Sequence, residues 1–261
     1  MTTALDSVPA RRTRRVPRVA GLVSMLLGST VLAGWALDAQ GLKTVLLGLS
    51  SMKPNTAMGF MVLGLALVFS ERSVARWASV GVTLLGLATL TEYASGRNLG
   101  IDQILFAEDP WSEATHPGRM GLNTALSFTF LGPALLLCRR ATWTAHLLAL
   151  VGGLVALMAG VGYVLGAESL VGFASYTGMA LHTALGFLMV SVGILWLQPR
   201  AGAMAVLSSP FADGALVRGL LPVMLILPLS IGIVLLKGQE LGWYGMQMGL
   251  ALYCISHRPS H

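Results

Sequence analysis

Charge is what this sequence has least of. Only 11% of its 261 residues are Asp, Glu, Lys or Arg, while 55% are hydrophobic. A soluble domain carries about 25% charged residues. So few charges cannot cover a surface that faces water. With a mean hydropathy of +0.74, lipid is the expected solvent for much of the chain. Cysteine is scarce too. Cys138 and Cys254 are the only two, too few for a disulfide framework, and neither sits in a CxxC or Cys/His spacing that would hold a metal. The chain has no GxSxG, HExxH, Walker A or paired-Asp motif. It also lacks the phosphoacceptor and ATP-binding segments of a histidine kinase and any nucleotide cyclase motif. The polar segments between apolar runs are too short to fold as a catalytic domain. The expectation is a protein that is not an enzyme and carries no cofactor or metal.

What is there is a succession of apolar runs long enough, at roughly 20 residues, to cross a bilayer as helices. They fall near 19–37, 55–70, 75–93, 121–138, 143–165, 179–197, 217–236 and 242–256. The first follows RRTRR and could pass for a signal peptide. Its run of about 19 residues exceeds the usual 7–15 of such a segment, so it reads as a span. The predicted fold is all-α, a polytopic bundle of about eight spans. Residues 1–18 form a basic N-terminal segment, 19–256 the membrane domain and 257–261 a tail.

Orientation follows from Lys and Arg in short loops. With the N-terminus cytoplasmic, the inner segments hold twelve of the 17 basic residues: Arg11, Arg12, Arg14, Arg15, Arg18, Arg72, Arg76, Arg139, Arg140, Arg200, Arg218 and Arg258. Lys43, Lys53, Arg97, Arg119 and Lys237 fall outside. Of the acids only Asp6, Glu71 and Asp213 are inside. The formal charge of +6 is therefore a topology signal rather than a nucleic-acid patch. It also favours anionic lipid headgroups at the inner leaflet. Both termini are expected in the cytoplasm of a bacterial inner membrane.

The chain repeats itself. MKPNTAMGF at 52–60, MGLNTALSF at 120–128 and MALHTALGF at 179–187 share Met-x-x-[Asn/His]-Thr-Ala-[Met/Leu]-x-Phe at spacings of 68 and 59 residues. Each opens an inward-running helix. Each follows an outward-running helix that ends in an aromatic residue: Trp35, Tyr93 and Tyr163. YGMQMGLAL at 244–252, with Gln247, reads as a worn fourth copy. The units are parallel helical hairpins near 19–71, 75–138, 143–197 and 217–256, related by an axis along the membrane normal. Small residues such as Gly59, Gly64, Gly153, Ala156 and Gly160 suit close helix contacts.

Asn55-Thr56, Asn123-Thr124 and His182-Thr183 sit at or near helix N-termini and admit two readings. In one they cap helices, because their oxygens accept bonds from free N–H groups that are costly in hydrocarbon. In the other they line a shared external pocket, where converging N-termini suit an anion or small polar molecule. His182 stands where the other copies have Asn and could titrate near physiological pH. Glu92, at the outer end of the third span, is a ligand-binding candidate as an ionisable residue in a span, or else snorkels to the interface. Trp35 and Tyr93 read as interfacial belt residues, and His146 as interfacial at the cytoplasmic end. In the long loop, Ile101 to Phe106 suits a short amphipathic interfacial segment. Glu113 and His116 are i,i+3 but lack the further ligands of a metal site.

MKPNTAMGFMVLGLAL, GRMGLNTALSFTFLGPALLL and TGMALHTALGFLMVSVGIL resemble the multi-span N-terminal sensor region (MASE-like) of bacterial signalling proteins that carry PAS, histidine kinase or diguanylate cyclase modules. RGLLPVMLILPLSIGIVLLKGQELGWYGMQMGLALY, at 218–253, is similar to their last hairpin. The resemblance implies a sensory input module that detects an extracytoplasmic or in-membrane signal. Its partners would be the lipid bilayer, a cytoplasmic signalling domain or protein, and a second copy in a homodimer, with no nucleic acid. It also implies an output domain beyond CISHRPSH, where this sequence stops, so a truncated or stand-alone module is expected. The competing expectation is a small transporter or channel whose site is formed by the converging helix N-termini.

Overall fold

Long apolar runs should fold as helices, and they do, even across the internal Gly132-Pro133 of the fourth run. The computed structural model describes residues 15–44, 50–108, 116–165 and 178–209. These hold eight helices and no strand: α1 (Arg15–Ala36), α2 (Gln40–Lys43), α3 (Pro54–Val68), α4 (Ser73–Ser95), α5 (Leu122–Leu137), α6 (Thr142–Leu165), α7 (Leu181–Leu195) and α8 (Gly202–Leu207). They belong to one unit, residues 1–208, and a second unit covers 209–261. The expected seventh and eighth spans, the fourth motif copy with Gln247, Glu113 and Cys254 lie outside the described residues.

Local chemistry sets the helix ends. Pro54 occupies the first position of α3, where its missing N–H would be unpaired anyway. Gly96 ends α4 in the left-handed conformation, φ 67°, and its N–H donates to the Glu92 carbonyl, a cap that suits a residue without Cβ.

Three helices, α1, α4 and α6, are long and apolar enough to cross a membrane. Their outer faces carry large apolar side chains in the open: Leu26 is 66% exposed, Leu84 59% and Leu147 61%. Their inner faces are small: Gly21, Ser24, Gly28, Ser79, Gly86, Ala149 and Ala156 are buried. Large residues outside and small ones inside are what a lipid solvent permits. Helices α3, α5 and α7 have 15, 16 and 15 residues. At 1.5 Å per residue they reach about 22–24 Å, less than the roughly 30 Å of a hydrocarbon core. They are shorter than the expected runs 55–70, 121–138 and 179–197, ending one or two residues earlier at Val68, Leu137 and Leu195.

The helices pack in antiparallel pairs, shown by which glycines meet which backbone. In α1 and α3, Gly21 faces Gly64 and Gly28 faces the Ala57 carbonyl. In α4 and α5, Gly86 faces the Ala125 carbonyl and Gly132 faces Ser79 and Thr83. In α6 and α7, Gly153 faces Ser191. Helix α3 also packs on α4, α5 on α6, and α7 returns to α1, so the six helices close on themselves, with α3, α5 and α7 touching one another inside. Phe60, Phe128 and Phe187 meet there, all fully buried. Their centroids are 4.6 Å apart for Phe60–Phe187, 4.9 Å for Phe128–Phe187 and 5.9 Å for Phe60–Phe128. The ring of each partner needs a small neighbour: a side chain at Gly59 would strike Phe128, and one at Gly186 would strike Phe60.

These close approaches make a test. A Cβ at Gly28 would collide with the Ala57 carbonyl, which is backbone and cannot turn away. Gly28→Val is expected to part α1 from α3 and cost about 1–3 kcal/mol, the usual range for overpacking. Gly81→Val, on α4 with open space around it, is expected to leave stability unchanged. Thermal unfolding in detergent reads both, and equal effects at the two sites would contradict the packing described.

His146 corrects the interfacial expectation. It is fully buried, neither ring nitrogen has a hydrogen-bond partner, and it lies against Gly202, where the left-handed φ of 55° opens α8. Residues 101–108 form turns and coil rather than a helix. Ile104 and Leu105 stand exposed on this segment.

Candidate functional site

The three motif copies enter the bundle in the same way. Met52, Met120 and Met179 are each 1% exposed. The next turn begins from Lys53, Gly121 and Ala180, which are extended with ψ of 153°, 151° and 149°. Each Met carbonyl accepts a hydrogen bond from an aromatic residue in the last turn of α1, α4 or α6. Trp35 Nε1 donates to Met52 at 2.9 Å, Tyr93 Oη to Met120 at 2.9 Å and Tyr163 Oη to Met179 at 2.7 Å. An extended segment buried ahead of a helix has carbonyls with no helical partner, and these side chains satisfy one in each copy. Trp35 and Tyr93 are thus tied to the motif. Tyr163→Phe removes one such donor and leaves a carbonyl unpaired. It is expected to cost about 1–3 kcal/mol by thermal unfolding, whereas no change would mean the bond contributes nothing.

The capping expectation does not survive. The N-cap positions are Lys53, Gly121 and Ala180, and no side chain caps any of the three helices. Asn55, Asn123 and His182 are the second helical residues and Thr56, Thr124 and Thr183 the third. A cap oxygen must precede the first turn to reach its N–H groups. One residue inside it, the side chain turns to the bundle instead. All six are buried, none more than 7% exposed. Asn55 Nδ2 donates to the Ile101 carbonyl at 2.7 Å, tying the long loop over the start of α3. His182 Nε2 and Thr183 Oγ1 have no hydrogen-bond partner. A buried polar atom left unpaired costs about 1–3 kcal/mol, so these two are the points of the motif with unspent hydrogen-bonding capacity.

Glu92 does not snorkel outward. It is fully buried at the end of α4, and its Oε1 accepts the Leu99 N–H at 2.7 Å. Its Oε2 is 3.4 Å from Arg119 Nε, which also donates to Asp102 Oδ2 at 2.8 Å. Arg119 and Asp102 are 3% and 4% exposed, and the guanidinium lies over the Tyr93 ring. Burial of three charges is tolerable only because each has a partner. Lys53 pairs with Glu108, which also accepts the Gly118 N–H. Trp35 stacks on Phe106. Loop residues 97–108 and 116–119 are thereby fastened to the ends of α1, α3 and α4. On the preceding loop, Asp38 pairs with Lys43 at 2.6 Å. The hydrogen bond and charge of Lys43 hold the exposed Asp38 carboxyl below its usual range, so its pair with the buried Lys43 is lost only as pH falls below that range.

Arg119, Asp102, Lys53 and Glu108 were not singled out from sequence. Two of them carried a signal: Arg119 directly precedes motif residue Met120, and Lys53 lies within the first motif, positions where a charge sits at a span boundary. Among the described residues no group of three His, Cys, Asp or Glu could hold a metal ion. Comparison with protein-family models, with curated proteins and with solved structures finds no match for this chain.

Proposed function

We propose that this chain is the membrane-embedded input module of a bacterial signal-transduction protein. It registers a small polar or anionic species at the outer end of the bundle and passes a helix shift to a cytoplasmic output domain or protein outside this chain. The observation that carries this reading is the shared placement of the three motifs. Asn55, Asn123 and His182, each with its Thr, lie buried at the starts of three mutually packed helices, and His182 and Thr183 retain unpaired polar atoms. Helix N-termini favour negative or polar groups. Directly below, the Phe60–Phe128–Phe187 contact couples the three helices, and packed cores of this kind transmit displacement rather than absorb it.

The topology we propose is the one the charges indicate: an inner-membrane protein with both termini cytoplasmic, about eight spans, and three or four parallel hairpin repeats around an axis along the membrane normal. The like aromatic-to-Met bonds and like helix starts of the three described copies support it.

The test fuses a dimerisation-controlled kinase reporter after His261 of the full chain. His182→Asn restores the residue of the other copies and is expected to leave accumulation in the membrane intact. His182→Ala with Thr183→Val is expected to change reporter output by about fivefold or more, the low end of a typical allosteric coupling. Unchanged output from a variant that accumulates normally would contradict the proposal. Solute movement in proteoliposomes of the purified chain would replace it with the transporter reading, which the filled aromatic core disfavours.

A further inference from the structure

The opposite end of the bundle, where α3, α5 and α7 finish, holds a cleft of about 660 Å3. Its apolar wall includes Leu67, Phe69, Trp196 and Leu197. Its charges are Arg18, Arg72, Arg139 and Arg200 against a single acid, Glu71. These arginines come from four separate places in the chain: the start of α1 and the segments that follow α3, α5 and α7. Two are already engaged. Arg139 pairs with Glu71 at 2.9 Å, and Arg72 lies over the Phe69 ring at 5.0 Å. Arg18 and Arg200 have no ion-pair partner among the described residues.

The simplest alternative is that the arginines neutralise helix C-termini, which carry partial negative charge. The positions speak against it. None of α3, α5 or α7 has a basic residue in its last turn, and that effect fades beyond one turn. An apolar wall beside a cationic rim is the profile of a site for an amphiphilic anion, and basic pockets between membrane helices hold phosphate headgroups. Guanidinium groups match phosphate oxygens in geometry as well as charge.

We propose that this cleft binds a phosphate-bearing anion, with Arg18 and Arg200 supplying the charge and Phe69 and Trp196 flanking its apolar part. The site is at the other end of the molecule from the motif residues and does not depend on the input function proposed above.

Native mass spectrometry of the full chain, released from mixed phosphatidylglycerol and phosphatidylcholine, tests the lipid source. Equilibrium dialysis with labelled inorganic phosphate tests the free-anion source. Phosphatidylglycerol is expected to be retained over phosphatidylcholine. Arg18→Gln with Arg200→Gln is expected to weaken that retention about tenfold or more, with Arg18→Lys and Arg200→Lys keeping most of it. Arg97→Gln, on the loop at the far end, is expected to have no effect. Both arginines are exposed, so the melting temperature of the double variant should equal that of the unmodified chain. Loss of phosphate binding in the double variant without any lipid preference would still support the site and assign it to a free anion. Binding of either probe that the double variant leaves intact, or no binding of either, would overturn it.

Discussion

Arg119→Met is expected to destabilise the protein by about 3–5 kcal/mol, the cost of breaking a buried ion pair by removing one partner. The guanidinium is the cation that both the Glu92 and Asp102 carboxylates reach, at 3.4 Å and 2.8 Å. With methionine in its place, two carboxylates remain in a region where none of the three residues is more than 4% exposed. Like charges brought together out of water repel and are poorly solvated. The loss should therefore belong to the unpaired charges rather than to the missing arginine stem. Adding Glu92→Gln and Asp102→Asn to Arg119→Met is expected to recover most of the stability. Glu92→Gln with Asp102→Asn in the presence of Arg119 should again be destabilising, because the cation is then stranded. Unfolding of the purified protein in detergent provides the comparison. A cost below about 1 kcal/mol for Arg119→Met, in the range of exposed pairs, would mean that the cluster is solvated and does not fasten the loop.

A loss of similar size is expected at the centre of the bundle. Phe187 is within 4.9 Å of the Phe128 ring centroid and 4.6 Å of that of Phe60, so it touches both of the other motif helices. Phe187→Ala removes a fully buried ring and leaves a cavity that three helices would have to collapse to fill. Such truncations cost about 3–5 kcal/mol. Phe187→Leu should fall between. Leu185→Ala on the same helix changes a side chain that is 58% exposed and should cost little. If Leu185→Ala and Phe187→Ala are equal in effect, the helix buries the wrong face and the packing order is mistaken.

The parts of this fold legible in the sequence were those set by periodicity and solvent. The three long spans follow from uninterrupted apolar runs, and the helices at Pro54–Val68, Leu122–Leu137 and Leu181–Leu195 begin at the repeated motif. The chemistry of the motif was legible only in part. Asn and Thr near a helix start look like caps, and a shift of one or two residues in the helix boundary decides whether the side chain turns to the backbone or to the interior. Pro54 marks that boundary in the first copy, but the other two copies have no such residue, and the bonds from Tyr93 and Tyr163 to the Met120 and Met179 carbonyls come from another helix. Nor does sequence spacing reveal that Arg119 lies between Glu92 and Asp102, since loop folding brings them together across 27 and 17 positions. The bonds of Trp35 and Tyr93 to the Met52 and Met120 carbonyls were equally hidden, because an aromatic at a span end reads as interfacial whatever its hydrogen-bond partner.

The central claim is a membrane bundle of hairpins that all run in one direction. Single cysteines placed at Arg97, Arg72, Arg140 and Arg200 in a chain lacking Cys138 and Cys254 test it, read by a membrane-impermeant maleimide on intact spheroplasts. The account predicts that Arg97→Cys is labelled from outside, and that Arg72→Cys, Arg140→Cys and Arg200→Cys are labelled only after the membrane is opened. Labelling of Arg140→Cys from outside, or of Arg72→Cys and Arg140→Cys from opposite sides, would contradict it.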